Sequence, residues 1–180
     1  EKLGIDEILS YIGLTTNQIK IAQLLLTAKL LHPSSELEAE RWLSENSAAQ
    51  ELYQLDENIS RYKLYKVADI MYNNKELIDK TLYSNITDLF SGKNKIVIFD
   101  LTNMYFTGQM QGSEKAEFGR SKQKQTGSRL IGLALSIDST GNVRYSKFYK
   151  GNISEPGTFA TMIKDVSSQF SSNNQVPVVV

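Results

Sequence analysis

The residues best placed to do chemistry begin at Asp100, which follows the apolar run Ile96-Val97-Ile98-Phe99. Four consecutive β-branched or aromatic residues mark a strand buried on both faces. An ionised carboxylate set into such a strand is costly unless something positive meets it, which implies a metal ion, a basic partner or a solvent-filled cleft. Asp100 also suits a turn cap where the strand stops, and this stretch alone leaves both readings open. A second group is basic: Lys115, Arg120, Lys122, Lys124 and the adjoining Arg129 outnumber Glu114 and Glu117 in a polar, glycine-punctuated connection at 109–128. A basic loop beside an acidic metal site suits a phosphate backbone. An ordinary solvated hairpin tip accounts for the same residues equally well.

Other chemistry-bearing residues read more plainly as structure. His32 is the single histidine and adjoins Pro33, the setting of a helix-end packing or capping residue. Glu36, Glu38, Glu40 and Glu45 form a solvated acidic face favoured by the helix dipole. Ser60-Arg61-Tyr62-Lys63-Leu64-Tyr65-Lys66 interleaves basic and aromatic side chains as a base-stacking surface does, but helical periodicity explains it as core plus rim.

These groups need elements to position them. Helical spacing predicts a short helix over 5–12, a second capped by Thr15 or Thr16 and ending before Pro33, and a third opened by Ser35, with Leu37 and Trp42 facing the core. Two more follow over 59–90, separated by Asn73 and Asn74, with Leu64, Tyr65, Ala68 and Met71 on one apolar stripe. The period then changes to that of strands: the Asp100 strand, a second over 130–138, a turn at 139–142 and a third over 143–150. Ser154-Glu155-Pro156 opens an amphipathic helix, and 176–180 reads as a fourth strand. The helix makes that last connection a crossover, which favours parallel pairing.

Composition is consistent with a globular, soluble chain of 180 residues with a 41% apolar content. There is no cysteine, which excludes disulfides and thiolate metal sites and fits a reducing cytoplasm. No apolar run or leader pattern points to a membrane. Residues 1–92 carry 9 Lys and Arg against 14 Asp and Glu, a net of −5, whereas 93–180 carry 11 against 6, a net of +5. Blocks of opposite sign predict two domains divided at 92/93, with a polyanion meeting the second. The start at Glu1 and the end inside an apolar run read as a piece of something longer.

Several stretches carry a family resemblance. Ile98-Phe99-Asp100-Leu101-Thr102-Asn103-Met104-Tyr105-Phe106-Thr107-Gly108 resembles the first catalytic block of DDE-type transposases of bacterial insertion sequences. Gly119-Arg120-Ser121-Lys122 resembles the glycine-x-serine-lysine element after it, and Tyr149-Lys150-Gly151-Asn152-Ile153-Ser154-Glu155 the glycine-asparagine element before a helix. Leu31-His32-Pro33-Ser34-Ser35-Glu36 and Arg41-Trp42-Leu43 look like the helical region preceding the core in one branch of these enzymes. The chain departs at Gln123-Lys124-Gln125-Thr126-Gly127, where the family often has an arginine-proline-aspartate run.

The resemblance implies an all-helical N-terminal domain, 1–92, followed by the first half of an RNase H-like fold, 93–180: three antiparallel strands, a crossover helix and a parallel fourth strand. It implies metal-dependent DNA cleavage and strand transfer at insertion-sequence ends in a bacterial cytoplasm. Two Mg²⁺ ions would be held by three carboxylates, with Asp100 bridging both. Beside that site Thr102 and Asn103 either orient Asp100 or bind a metal-held water, or satisfy their own backbone as a strand-end Thr-Asn pair commonly does, and Arg120, Lys122, Lys124 and Arg129 would contact DNA. The family's second aspartate comes just after the fourth strand and its glutamate much later, so the resemblance places both beyond Val180 and makes this piece inactive by itself. Asp138, in a turn signal, and Asp165, on the crossover helix, are no substitutes. The acidity of 1–92 argues against a DNA clamp and fits a dimerising or scaffolding role, such as a homodimer. Two other readings stand beside it: a non-catalytic nucleic-acid-binding or assembly module, and another RNase H-like nuclease.

Overall fold

The computed structural model describes residues 3–55, 58–90, 96–119, 127–153, 158–161, 163–165 and 178–179. The chain separates into two compact units, Glu1–Asn85 and Ile86–Val180, where the sequence suggested 92/93.

The first unit is helical: α1 (Ile5–Tyr11), α2 (Thr16–Leu31), α3 (Glu36–Glu45), the single-turn α4 (Ala49–Leu52), α5 (Arg61–Asn73) and the start of α6 (Lys75–Phe90). Local chemistry sets the helix ends. Thr15 closes a reciprocal cap on α2, its hydroxyl accepting from the Gln18 N–H while the Gln18 side chain accepts from the Thr15 N–H at 3.0 Å. Ser35 accepts from the Glu38 N–H at the start of α3. His32 terminates α2 and stacks on Trp42 with ring centroids 5.5 Å apart, so it is a packing residue. The core gathers Leu9, Leu24, Leu43, Leu64 and Val67, with Trp42, Ala68 and Met71 packed against it.

Two core expectations are corrected. Leu37 is 46% exposed, and α3 instead buries Ala39 and Leu43. Tyr65 is also exposed, and Val67 takes the buried position on α5. Each misplaced residue lies two positions from a buried one, roughly 200° around the helix and so on its solvent side, whereas Trp42, Leu64, Ala68 and Met71 meet the core as expected.

The second unit is built on a sheet of β1 (Ile96–Tyr105), β2 (Glu117–Phe118), β3 (Arg129–Asp138), β4 (Val143–Lys150) and β5 (Val178–Val179). β1 lies between β3, which pairs with it antiparallel, and β5, which pairs parallel with Val97 opposite Val179. The other edge of β3 carries β4 and, at its start, β2, both antiparallel. The predicted tight turn joins β3 to β4: Asp138 Oδ1 accepts from the Thr140 and Asn142 N–H groups at 2.9 and 3.0 Å, and Gly141 takes φ 86°. Asp138 is therefore a turn residue.

Residues 158–161 and 163–165, between β4 and β5, are helical, as the crossover requires. Ile163 packs on the cluster of Leu101, Ala134 and Tyr145, and Phe159 meets Phe99 edge-on at 5.9 Å. Asp165 ties this segment to β4. It accepts from Tyr145 Oη at 2.8 Å and from Lys147 Nζ at 2.9 Å. Desolvation alone would raise the Asp165 pKa; the Lys147 and Tyr145 hydrogen bonds overcome it, and the net shift is downward. Burial, then the bonds to Tyr149 and Asp165, pushes the Tyr145 hydroxyl up.

The signs predict a stability plateau. A lowered carboxylate contributes stability above its unfolded value of about 4, lost as pH falls through the folded value. A raised phenol favours the folded state while protonated, and that contribution fades as pH rises past its unfolded value of about 10. Thermal unfolding followed against pH should show both limbs, and Asp165→Asn should flatten the acid one.

Candidate active site

Asp100 does not end its strand. β1 continues through it to Tyr105, and Asp100 stands opposite Leu135 of β3 in an unbroken ladder. The turn-cap reading is thereby overturned. So is burial on both faces: Leu101 is buried and Phe99 half-buried on the face packed by the helical segment, whereas Ile98 is 48% exposed, Met104 43%, and Asp100 and Thr102 are exposed as well. Side chains alternate along a strand, so Ile98, Asp100, Thr102 and Met104 share one face. Their cross-strand partners Ile137, Leu135, Leu133 and Ile131 are half-buried and share it too. Asp100 is therefore a carboxylate set in the middle of a largely apolar sheet face that solvent reaches. That arrangement can hold a cation or face a polyanion through one, without the cost of full burial.

The other predicted residues divide. Thr102 shares the face of Asp100. Asn103 lies on the opposite, helix-packed face, paired with Gly132, and is half-buried. Arg129 opens β3: its Nη1 donates to the Ala116 carbonyl at 2.7 Å, and its Cζ stands 5.0 Å from the centre of the Phe118 ring. Arg120, Lys122 and Lys124 lie outside the described residues. Along β3, Arg129 is six residues from Leu135, the partner of Asp100, a span of roughly 20 Å at strand rise. Arg129 and the Asp100 carboxylate are thus separate features of one sheet.

Among the described residues, no three His, Cys, Asp or Glu side chains form a group able to hold a metal ion. Asp100 contributes one carboxylate, so these residues do not complete a two-metal centre. No described helix is long and apolar enough to cross a membrane.

One feature beside Arg129 leaves no pattern in the sequence. At the far end of β1 a cavity of about 390 Å³ is lined by Phe106, Thr107, Gly108, Gln109, Gln111, Phe118 and the 127–129 segment. The two-residue strand β2, which brings Phe118 opposite Arg129, carries no periodic signal; only the exposed aromatic within a polar connection could have hinted at it.

No protein-family model matches the chain, and no curated protein matches it.

Proposed function

We propose that the chain is part of an enzyme that cuts and joins DNA phosphodiester bonds with Mg²⁺, of the kind its motifs resemble: a DDE-type transposase with an RNase H-like core. The observation that carries the reading is the position of Asp100, an exposed carboxylate at the middle of a strand flanked by one antiparallel and one parallel neighbour. The reading requires more carboxylates than Asp100. β5 runs in the direction of β1 with Val179 level with Val97, and Asp100 is three residues further along. A carboxylate in a continuation of β5 would come level with Asp100, which is where this reading expects the second one.

In this reading the basic end around Arg129 engages the phosphate backbone, and the acidic helical unit serves assembly, as a homodimer, rather than DNA binding. The test is nicking of DNA carrying the sequences that flank the protein's own gene, by the native protein, in Mg²⁺ and in EDTA. Nicks at the flank junctions in Mg²⁺ alone are expected. A second reading, a non-catalytic nucleic-acid-binding module, draws on the held guanidinium of Arg129 beside the exposed Phe118 ring. Retained DNA binding with no nicking in Mg²⁺ or Mn²⁺ would favour it.

A further inference from the structure

We propose that the cavity at the end of β1 receives one unpaired nucleobase of a bound DNA strand, with Phe118 as its stacking platform. The inference rests on the nucleic-acid part of the reading above and not on its chemistry.

The cavity, about 390 Å³, falls in the range of small-ligand sites. Phe118 is 60% exposed within a polar connection. It is nevertheless held. Its backbone pairs with Arg129 across β2 and β3, and the Arg129 guanidinium stands 5.0 Å from the ring centre. That guanidinium is itself anchored by the Ala116 carbonyl at 2.7 Å. A fixed, solvent-facing ring loses little entropy when a base stacks on it, and the adjacent cation suits both the stack and a phosphate.

The polar wall is organised as well. Gln111 Nε2 donates to Gln109 Oε1 at 2.9 Å, which leaves the Gln109 amide nitrogen to donate and the Gln111 amide oxygen to accept along a base edge. Met110 between them has φ 44°, the left-handed region that a non-glycine residue rarely adopts, so the backbone is held at some cost where both amides line the cavity. An aromatic platform, a donor and an acceptor in a nucleotide-sized cavity match the way unpaired bases are bound. Fully paired bases cannot enter, because their edges and faces are already occupied.

The experiment measures fluorescence anisotropy of dye-labelled duplexes with the native protein: one fully paired, one with a single bulged adenine, and each again with deoxyadenosine monophosphate as competitor. Wild type is expected to bind the bulged duplex about 10-fold tighter, within the range of one base–aromatic stack. Phe118→Ala should remove that preference, keep the affinity for paired duplex within about twofold, and leave the thermal midpoint in place, since the ring packs little. Phe118→Trp should restore the preference. Equal affinity of wild type for the two duplexes, or a preference that survives Phe118→Ala, overturns the proposal while leaving Mg²⁺-dependent nicking untouched. Binding of the free nucleotide to wild type but not Phe118→Ala, without a preference for the bulge, overturns it in favour of a free-nucleotide site. Failure to bind either duplex overturns it together with the DNA reading.

Discussion

Asp100→Asn in the native protein is expected to lower Mg²⁺-dependent nicking by about 10³-fold or more, the several kcal/mol that metal-assisted charge stabilisation supplies. The change keeps shape and removes charge. Because Asp100 is exposed on its sheet face, the fold should not register it, and the thermal midpoint should move by no more than a surface substitution does. DNA binding should persist, since the proposed backbone contacts sit at the Arg129 end of the sheet. Nicking rates, melting curves and binding isotherms on the same two proteins check all three statements.

The second large effect is on stability. Gly151 ends β4 where β2, β3 and β4 converge, and its N–H donates to the Lys115 carbonyl at 3.1 Å. A Cβ at this position would lie 2.1 Å from the Leu130 carbonyl oxygen and 2.3 Å from its carbon. Both are backbone atoms of the inner strand β3, so no side-chain rotation relieves the clash. Gly151→Ala should therefore cost about 3 kcal/mol or more, at or beyond the upper end for overpacking. For a unit of this size the thermal midpoint should fall by roughly 10 °C or more. Gly108→Ala is the control, since nothing lies within 4 Å of the added carbon, and it should melt like wild type.

Much of the fold was legible because its signals are local. Thr15 and Ser35 announce helix starts through their own side chains, and the turn after Asp138 is written in Thr140, Gly141 and Asn142. The parallel pairing of β5 followed from a crossover helix lying between strands. What escaped depended on contacts distant in sequence or on the phase of a pattern. Asp100 looked like a strand end because a charge and then Thr102 and Asn103 follow an apolar run. The alternation Phe99 in, Asp100 out, Leu101 in and Thr102 out was nevertheless present and carries the strand onward. Leu37 and Tyr65 were assigned inward by hydrophobicity alone, although neighbours two positions away fit the core-facing side. The Phe118 cavity had no sequence signature, because it exists only once β2 pairs with Arg129 across the intervening loop.

The chain contains no cysteine, which makes Asp100→Cys a uniquely placed probe of metal contact, the central claim. A thiolate ligates Mg²⁺ poorly and softer divalent ions well. If Asp100 binds the catalytic metal directly, the variant should bind DNA normally, nick it poorly in Mg²⁺ and recover substantially in Mn²⁺ or Cd²⁺. Wild-type nicking rates for Asp100→Cys in Mg²⁺, or no recovery in either softer ion with DNA binding intact, would contradict the account.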